Sequence, residues 1–347
     1  MKLAIDAMGG DNAPQVNIDG AVQVLSKMNF LKKLFLVGDE STLKKQCDAA
    51  GIGSNAKVEI VHAPEVVGME ESGLAAVRQK KNSSMSISVD MVKKGLADAV
   101  VSAGNTGAAV AASTIKLRLL EGVERAGIIS PLPSIHGYVL VSDTGANPDA
   151  KPRHLVGYAV MSAMMARYVY NREMPNVGVM SNGTEDCKGS EFSLKAFSLL
   201  RALADRDLLP FKFNGNCEGH DLFETELDVA VTDGFTGNIL LKSVEATAHA
   251  YTNWIKSGIM SSTLAKLGAI CMRPVFKTLK QRMSADAIGG CPLMGVNGVS
   301  IIAHGSANAT AILNACRMAA GMVQNSVNDR IIETMAKINP VLKELDC

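Results

Sequence analysis

An α/β fold, with a mainly parallel sheet covered by helices on both faces, is what the sequence predicts, and three observations predict it. Aliphatic β-like runs alternate with helix-like stretches and short loops along all 347 residues. Loops rich in Gly, Ser, Asn and Thr follow several of those runs. They stand at Ser102-Ala103-Gly104-Asn105-Thr106-Gly107, Ser181-Asn182-Gly183-Thr184, Asp233-Gly234-Phe235-Thr236-Gly237-Asn238 and His304-Gly305-Ser306-Ala307-Asn308. Composition is the third observation: 47% hydrophobic residues, only 4% aromatic and 18 Met suit a large aliphatic core. No linker, low-complexity tract or strong internal repeat divides the chain. We expect one α/β unit over 1–347, made of two closely joined lobes.

Charge and cysteine usage narrow the class. A net charge of +1 argues against a nucleic-acid binder that works by bulk charge. The seven Cys form no C-x-x-C pair and no metal-like cluster with the six His, so free thiols in a reducing cytoplasm and no metal are expected. The first residues do not read as a signal peptide, and no stretch carries the ~20 strongly apolar residues of a transmembrane helix. A soluble protein is expected.

Taken in order, residues 2–6 form a strand ending in Ala7-Met8-Gly9-Gly10-Asp11-Asn12-Ala13-Pro14. That loop is either a Gly-Gly turn with Asn12 or Asp11 capping the next helix, or a crevice rim of Asp6, Gly9, Gly10 and Asp11. Strands at 34–38 and 58–61 flank a helix that starts at Asp39 or Ser41 and runs to Ala50. Arg78, Lys80 and Lys81 are either a solvated helix face or positive charge for an anionic substrate. Ser83 or Ser84 caps a helix over 85–95, which leads to a short buried strand at 98–101. The loop at 102–107 then opens a helix ending near Leu120. A Gly-rich turn before a helix leaves N–H groups unpaired at the positive end of the helix dipole, a ready anion site.

Strands at 127–130 and 137–142 lead to Asp143-Thr144-Gly145-Ala146-Asn147-Pro148, where Asp143 is either a turn former or a site residue. Lys151-Pro152-Arg153-His154 opens a Met-rich helix to about Tyr170, its Met stripe assigned to core. Strands at 176–180, 208–214, 216–219 and 228–232 follow, with a helix from Ser190 and a long one after Asp233–Asn238, written 233–238. Residues 289–302 return to the sheet, and helices at 306–325 and 329–345 close the chain.

One segment breaks the rhythm. Residues 246–285 contain no Asp or Glu but hold Lys256, Lys266, Arg273, Lys277, Lys280 and Arg282 among apolar residues such as Trp254, Leu264 and Phe276. Pro274 should break or start a helix, so a helical hairpin arm is expected. It is either a docking arm for an acidic partner or an anionic membrane surface, or a dimer-forming arm buried by its twin.

Ligands of open α/β sheets sit outside the carboxyl ends of the strands, so the glycine-rich loops can converge on one crevice. Neither a G-x-S-x-G elbow nor an H-E-x-x-H motif occurs. Backbone amides, Asn, Thr, Lys and a few Asp suit an enzyme whose nucleophile is the bound anion: orthophosphate oriented to attack an acyl carbonyl, with the same donors stabilising the oxyanion. Lys188 is the expected main cation, or else an ordinary surface lysine at a helix start. Asn182, Asn105 and Asn238 are either donors or turn and capping residues. Asp233 orients a donor or a proton, and His304 is either a proton shuttle or a structural residue ahead of a Gly-Ser turn. Gly9, Gly10, Asp11, Ser102, Gly104, Asn105, Thr106, Gly107, Gly183, Gly234, Thr236, Gly237, Asn238 and Ser306 are expected to bind phosphate or substrate. Lys266, Arg273, Lys277 and Lys280 are expected to dock a carrier or a membrane.

Several of these motifs occur together in one known family. They are Ala4-Ile5-Asp6-Ala7-Met8-Gly9-Gly10-Asp11, Gly68-Met69-Glu70-Glu71-Ser72, Val101 through Gly107, Gly145-Ala146-Asn147 with Lys151-Pro152, Asn182-Gly183 through Lys188-Gly189, Asp233 through Asn238, Gly295-Val296-Asn297-Gly298, and His304-Gly305-Ser306. With them the chain closely resembles the bacterial phosphate acyltransferase family (acyl-ACP:phosphate acyltransferase, PlsX type) over nearly its whole length. One departure is Gly73 after Ser72, where the family pattern has Pro. The resemblance implies conversion of acyl-[acyl carrier protein] and orthophosphate to acyl phosphate and free carrier protein, feeding phosphatidic acid synthesis, without a cofactor. It also implies an isocitrate/isopropylmalate-dehydrogenase-like fold, a homodimer, peripheral association with the inner face of the membrane, and supply to a membrane glycerol-phosphate acyltransferase. The rival expectations are a phosphotransacetylase acting on acyl-coenzyme A and a membrane-surface scaffold for lipid synthesis.

Overall fold

The computed structural model describes residues 1–283 and 285–345, without the side chains of 280–283 and 285. Lys280 and Arg282, singled out above, thus lie outside the described side chains. The first strand, β1 (Lys2–Asp6), is followed by α1 (Gln15–Lys27), β2 (Lys33–Gly38), α2 (Glu40–Ala49) and β3 (Val58–His62). Next come α3 (Gly73–Gln79), α4 (Ser84–Lys93), β4 (Ala99–Ser102) and α5 (Thr106–Leu117). The chain continues through β5 (Gly127–Ser134), β6 (Gly137–Ser142), α6 (Pro152–Tyr168), β7 (Asn176–Met180) and α7 (Glu191–Asp205). Then follow β8 (Lys212–Cys217), α8 (Asp221–Glu224), β9 (Val229–Val231) and the long α9 (Gly234–Met260). After α10 (Thr263–Cys271), α11 (Arg273–Met283) and α12 (Ala285–Ile288), the last elements are β10 (Cys291–Met294), β11 (Val299–Ile302), α13 (Ala309–Gln324) and α14 (Val327–Leu345).

All eleven strands form one sheet in the order β3-β2-β1-β4-β11-β10-β5-β6-β9-β7-β8. Both flanks are parallel, and the antiparallel strands β10, β5 and β6 join them at the centre. The two flanks bury every residue of β4 and β9, as strands covered on both faces require. The Met residues of α6 went where the stripe predicted: Met161, Met164 and Met165 are buried in the main core with Tyr158.

Local chemistry sets the element ends. Asp39, Ser83, Ser190 and Asn308 cap their helices by accepting a backbone N–H in the first turn. Three expectations are corrected. Neither Asp11 nor Asn12 caps α1, whose N-cap is Pro14 and has no side-chain cap. The separate strands expected at 208–214 and 216–219 are one strand, β8, whose register slips against Val177/Gly178 of β7 so that pairing continues past Gly215. The basic segment is three helices rather than a two-limbed hairpin. Its first limb is the continuation of α9, α10 folds back on it, and Pro274 occupies the first turn of α11.

Among the described residues no helix is long and apolar enough to cross a membrane. The arm instead exposes apolar side chains on the surface, with Trp254, Leu264, Leu267 and Ile270 each more than 60% exposed. Lys266, Arg273 and Lys277 are exposed on the same arm.

Candidate active site

Parallel strands end together, so the loops after β1, β4 and β11 meet. Gly9 lies back to back with Gly104: a Cβ on Gly9 would stand 2.7 Å from the Gly104 nitrogen and 2.7 Å from Asp6 Oδ2. Only glycine permits that approach. The Asp11 amide donates to the Gly305 carbonyl at 2.8 Å, tying the first loop to the third. Beneath them Asp6 is fully buried and accepts from the Ser102 hydroxyl at 2.7 Å. Burial raises the Asp6 pKa, and hydrogen bonds from Ser84, Ser102 and the Met8 and Gly9 amides only partly oppose it. Asp6, Gly9, Gly104 and Ser102 are therefore the floor beneath the loops.

Asn105 takes the capping role, one of the two its sequence position allowed. Its Oδ1 caps α5 through the Ala108 amide at 3.0 Å, and its Nδ2 donates to the carbonyls of Met69 (2.9 Å) and Glu71 (2.8 Å). Both ends are spent on holding the 68–71 loop, so no donor remains for a ligand. Lys80 is likewise committed, paired with Glu71 at 2.6 Å. The exposed first amides of α5, at Thr106 and Gly107, have no protein partner among the described residues.

The loops after β6 and β9 form a second meeting point, organised by Asp143. This buried carboxylate accepts from the amides of Ile128 (2.9 Å), Gly145 (3.1 Å), Ala146 (3.0 Å) and Asn147 (2.7 Å). Asp143 is thus a turn former, one of the two roles its sequence allowed. Gly237 packs directly on it: a Cβ there would fall 2.0 Å from the Asp143 carbonyl oxygen. The α9 N-terminus, expected to offer amides to an anion, does not. Asp233 takes the Phe235 and Thr236 amides at 3.0 and 2.8 Å, and the Gly234 amide donates to Asn147. A capping carboxylate has already answered the helix dipole there.

Two clefts open on either side of this turn. The first, of about 520 Å³, has a polar end of Thr106, Ser130, Thr144, Asn238 and His304 and an apolar wall that includes Leu132, Phe223, Leu241 and Val244. His304 Nδ1 accepts the Ser306 amide at 3.2 Å and meets the Ser306 hydroxyl at 2.8 Å. A neutral His304 then carries its proton on Nε2, the nitrogen free to face a ligand. Ser306 serves by orienting that ring. The second cleft, about 470 Å³, is lined by Asn182, Asp233, Thr236, Ser181, Ser190 and Ser193 with Leu155 and Phe192. Lys188 and Gly183 belong to its rim loop, where Lys188 Cγ lies against Gly183. Asn216 holds that loop from below, donating to the carbonyls of Glu185 (2.7 Å) and Lys188 (3.1 Å).

The expected constellation is therefore divided. Thr106, Asn238 and His304 meet in one cleft; Asn182, Asp233 and Thr236 meet in the other. Gly10, Asp11, Gly107, Gly234 and Ser306 shape loops around them. Sequence reasoning missed Ser130 and Thr144, whose hydroxyls lie 2.6 Å apart on the first cleft's wall. The adjacent Asp143-Thr144-Gly145 turn was the available signal for Thr144.

The sheet with its crevice at the carboxyl ends of parallel strands makes this an open α/β protein. A phosphotransacetylase from Streptococcus pyogenes shares the fold with a TM-score of 0.60, at 15% identity over 93% of this chain and 94% of that one. The EutD phosphotransacetylase from Staphylococcus aureus gives 0.57 at 16% identity, over 93% of this chain and 94% of that one. Sequence similarity places the chain more finely. Residues 1–330 match the family model described as "Fatty acid synthesis protein". A phosphate acyltransferase of Akkermansia muciniphila is 60% identical over 341 residues, 98% of this chain and 97% of the relative, and one of Geobacter sulfurreducens is 42% identical over 335, covering 96% and 94%. The chain belongs to the phosphate acyltransferase family and is an acyltransferase.

Proposed function

We propose that this protein transfers the acyl group of acyl-[acyl carrier protein] to orthophosphate, giving acyl phosphate and free carrier protein for phosphatidic acid and phospholipid synthesis. The observation that carries this reading is the first cleft, where a long apolar wall ends at Thr106, Thr144, Asn238 and His304. A thioester substrate needs that combination: wall for the alkyl chain, donors for the carbonyl and the anion. A phosphate oxygen bonds to the carbonyl carbon, the carbon–sulfur bond breaks, and the phosphate proton passes to the departing thiolate. The anion is the nucleophile, so the chain contributes positioning and oxyanion stabilisation. The Thr106 and Gly107 amides and Asn238 orient phosphate and carbonyl, and His304 Nε2 moves the proton. Lys188, across the α9 turn with Asn182, Asp233 and Thr236, draws phosphate toward the site by its charge.

Acyl carrier protein is acidic, and the arm bearing Lys266, Arg273 and Lys277 offers it a basic surface. The same arm's exposed apolar side chains suit peripheral contact with an anionic membrane at the cytoplasmic face, close to a glycerol-phosphate acyltransferase that consumes the product. We assign the working unit as a homodimer of a two-lobed α/β protein. The fold shared with phosphotransacetylases supports a second reading, acyl-coenzyme A as donor.

The test is phosphate-dependent release of free thiol from palmitoyl-acyl carrier protein and, separately, from palmitoyl-coenzyme A. Release from the carrier substrate at a higher kcat/KM supports the first reading. Turnover of coenzyme A thioester alone moves the assignment to the second, and no release from either overturns both.

A further inference from the structure

We infer that the first cleft measures the acyl chain, and that Ala248 and Phe223 set how many carbons it accepts. This inference rests on the acyl-transfer reading above and adds where the chain lies and what limits it. Both long walls leave the polar end in the same direction. At that end the Thr144 amide donates to the Ile128 carbonyl at 3.1 Å, near the start of β5, and Gly237 of α9 packs on Asp143. At the other end the Ile135 amide, one residue past β5, donates to the Phe223 carbonyl at 3.0 Å. Along α9 the lining residues Asn238, Leu241, Val244, Glu245 and Ala248 recur every three or four positions, so a single helix face forms one side. The charges on that side cancel, since Lys242 pairs with Glu245 at 2.7 Å and leaves its aliphatic stem toward the groove.

The dimensions fit one extended chain. From Asn238 to Ala248 the helix advances about 15 Å, and from Ile128 to Ile135 the strand advances about 23 Å. An extended backbone gains about 1.2 Å per bond, so the walls span roughly 12 to 19 bonds. A volume of about 520 Å³ suits a single chain of that length. Ala248 is the last lining residue on α9 and the smallest on that face; Phe223 marks the far end of the β5 wall. A larger side chain at 248 shortens the groove, and a smaller one at 223 extends it. Each methylene that loses its wall costs about fourfold in affinity.

The experiment compares wild type, Ala248→Phe and Phe223→Ala in two ways. The first is phosphate-dependent thiol release from octanoyl-, palmitoyl- and stearoyl-acyl carrier protein. The second is binding of the fluorescent 18-carbon cis-parinaric acid, which needs no turnover. Expected are a palmitoyl-to-octanoyl kcat/KM ratio lowered about tenfold or more by Ala248→Phe, a stearoyl-to-palmitoyl ratio raised by Phe223→Ala, and parinaric acid binding weakened about tenfold by Ala248→Phe. Normal turnover with unchanged ratios and unchanged probe affinity in both folded variants overturns the ruler and leaves the acyl-transfer reading standing. Absent turnover with the probe shift intact does the reverse.

Discussion

The two clefts beside the α9 turn have nearly the same volume, about 520 and 470 Å³, and are edged by the same kinds of loop, yet they differ in material. The first joins its polar end to a continuous apolar wall from β5 and α9. The second is ringed by Ser181, Asn182, Ser190, Ser193, Asp233 and Thr236, with Leu155, Met180 and Phe192 as its apolar members. Their helix N-termini differ as well. Asp233 takes the Phe235 and Thr236 amides of α9, while Asn105 takes only the Ala108 amide of α5 and leaves those of Thr106 and Gly107 open. Glycine-rich loops supply polar groups to any crevice, and the walls behind them decide what the crevice can hold.

Asp143 supports both clefts, so its loss should have the largest effect. Asp143→Ala strands four backbone donors and should cost about 4 kcal/mol, seen as a melting temperature lower by about 5 °C. A variant as stable as wild type would show that the turn is held by other contacts. His304→Ala, in the first cleft, should lower kcat by about 10²-fold with the circular dichroism spectrum unchanged. Lys188→Ala, in the second, should raise KM for phosphate about tenfold while kcat holds. If instead Lys188→Ala collapses kcat and His304→Ala is silent, the reaction belongs to the second cleft.

The smallest effect expected lies beneath the loops, at Asp6. Burial raises its folded pKa above the unfolded value, so its contribution favours the folded state below about pH 4 and is lost as pH rises through the folded pKa. Asp6→Asn removes that dependence. Its melting temperature relative to wild type should climb as pH rises above about 4. A constant difference across that range would mean that Asp6 does not change its charge there.

Much of the fold was legible in the sequence because it depends on local pattern. The strand at 176–180, the Ser190 start of α7 and the Met core of α6 follow from periodicity and capping. What was misread depended on partners far along the chain. Asn105 could be read as a ligand donor or a cap, and nothing near it in sequence shows that Met69 and Glu71 take its amide. Lys80 looked available until Glu71 was brought beside it. Ser130 carries no motif of its own and Thr144 only the turn it sits in, and the two are brought together when β5 and β6 pair.

By itself the sequence determined the β-loop-α order, the glycine positions where loops must touch, the basic arm without Asp or Glu, and membership of the phosphate acyltransferase family. These are properties of neighbouring residues and of their spacing. Tertiary structure alone decided that the polar loops divide between two clefts, that only one of them has an apolar wall, and which helix N-terminus stays open. Those outcomes depend on sheet order, with β10 bringing β5 beside the β4–β11 flank, and no local pattern records which strands become neighbours.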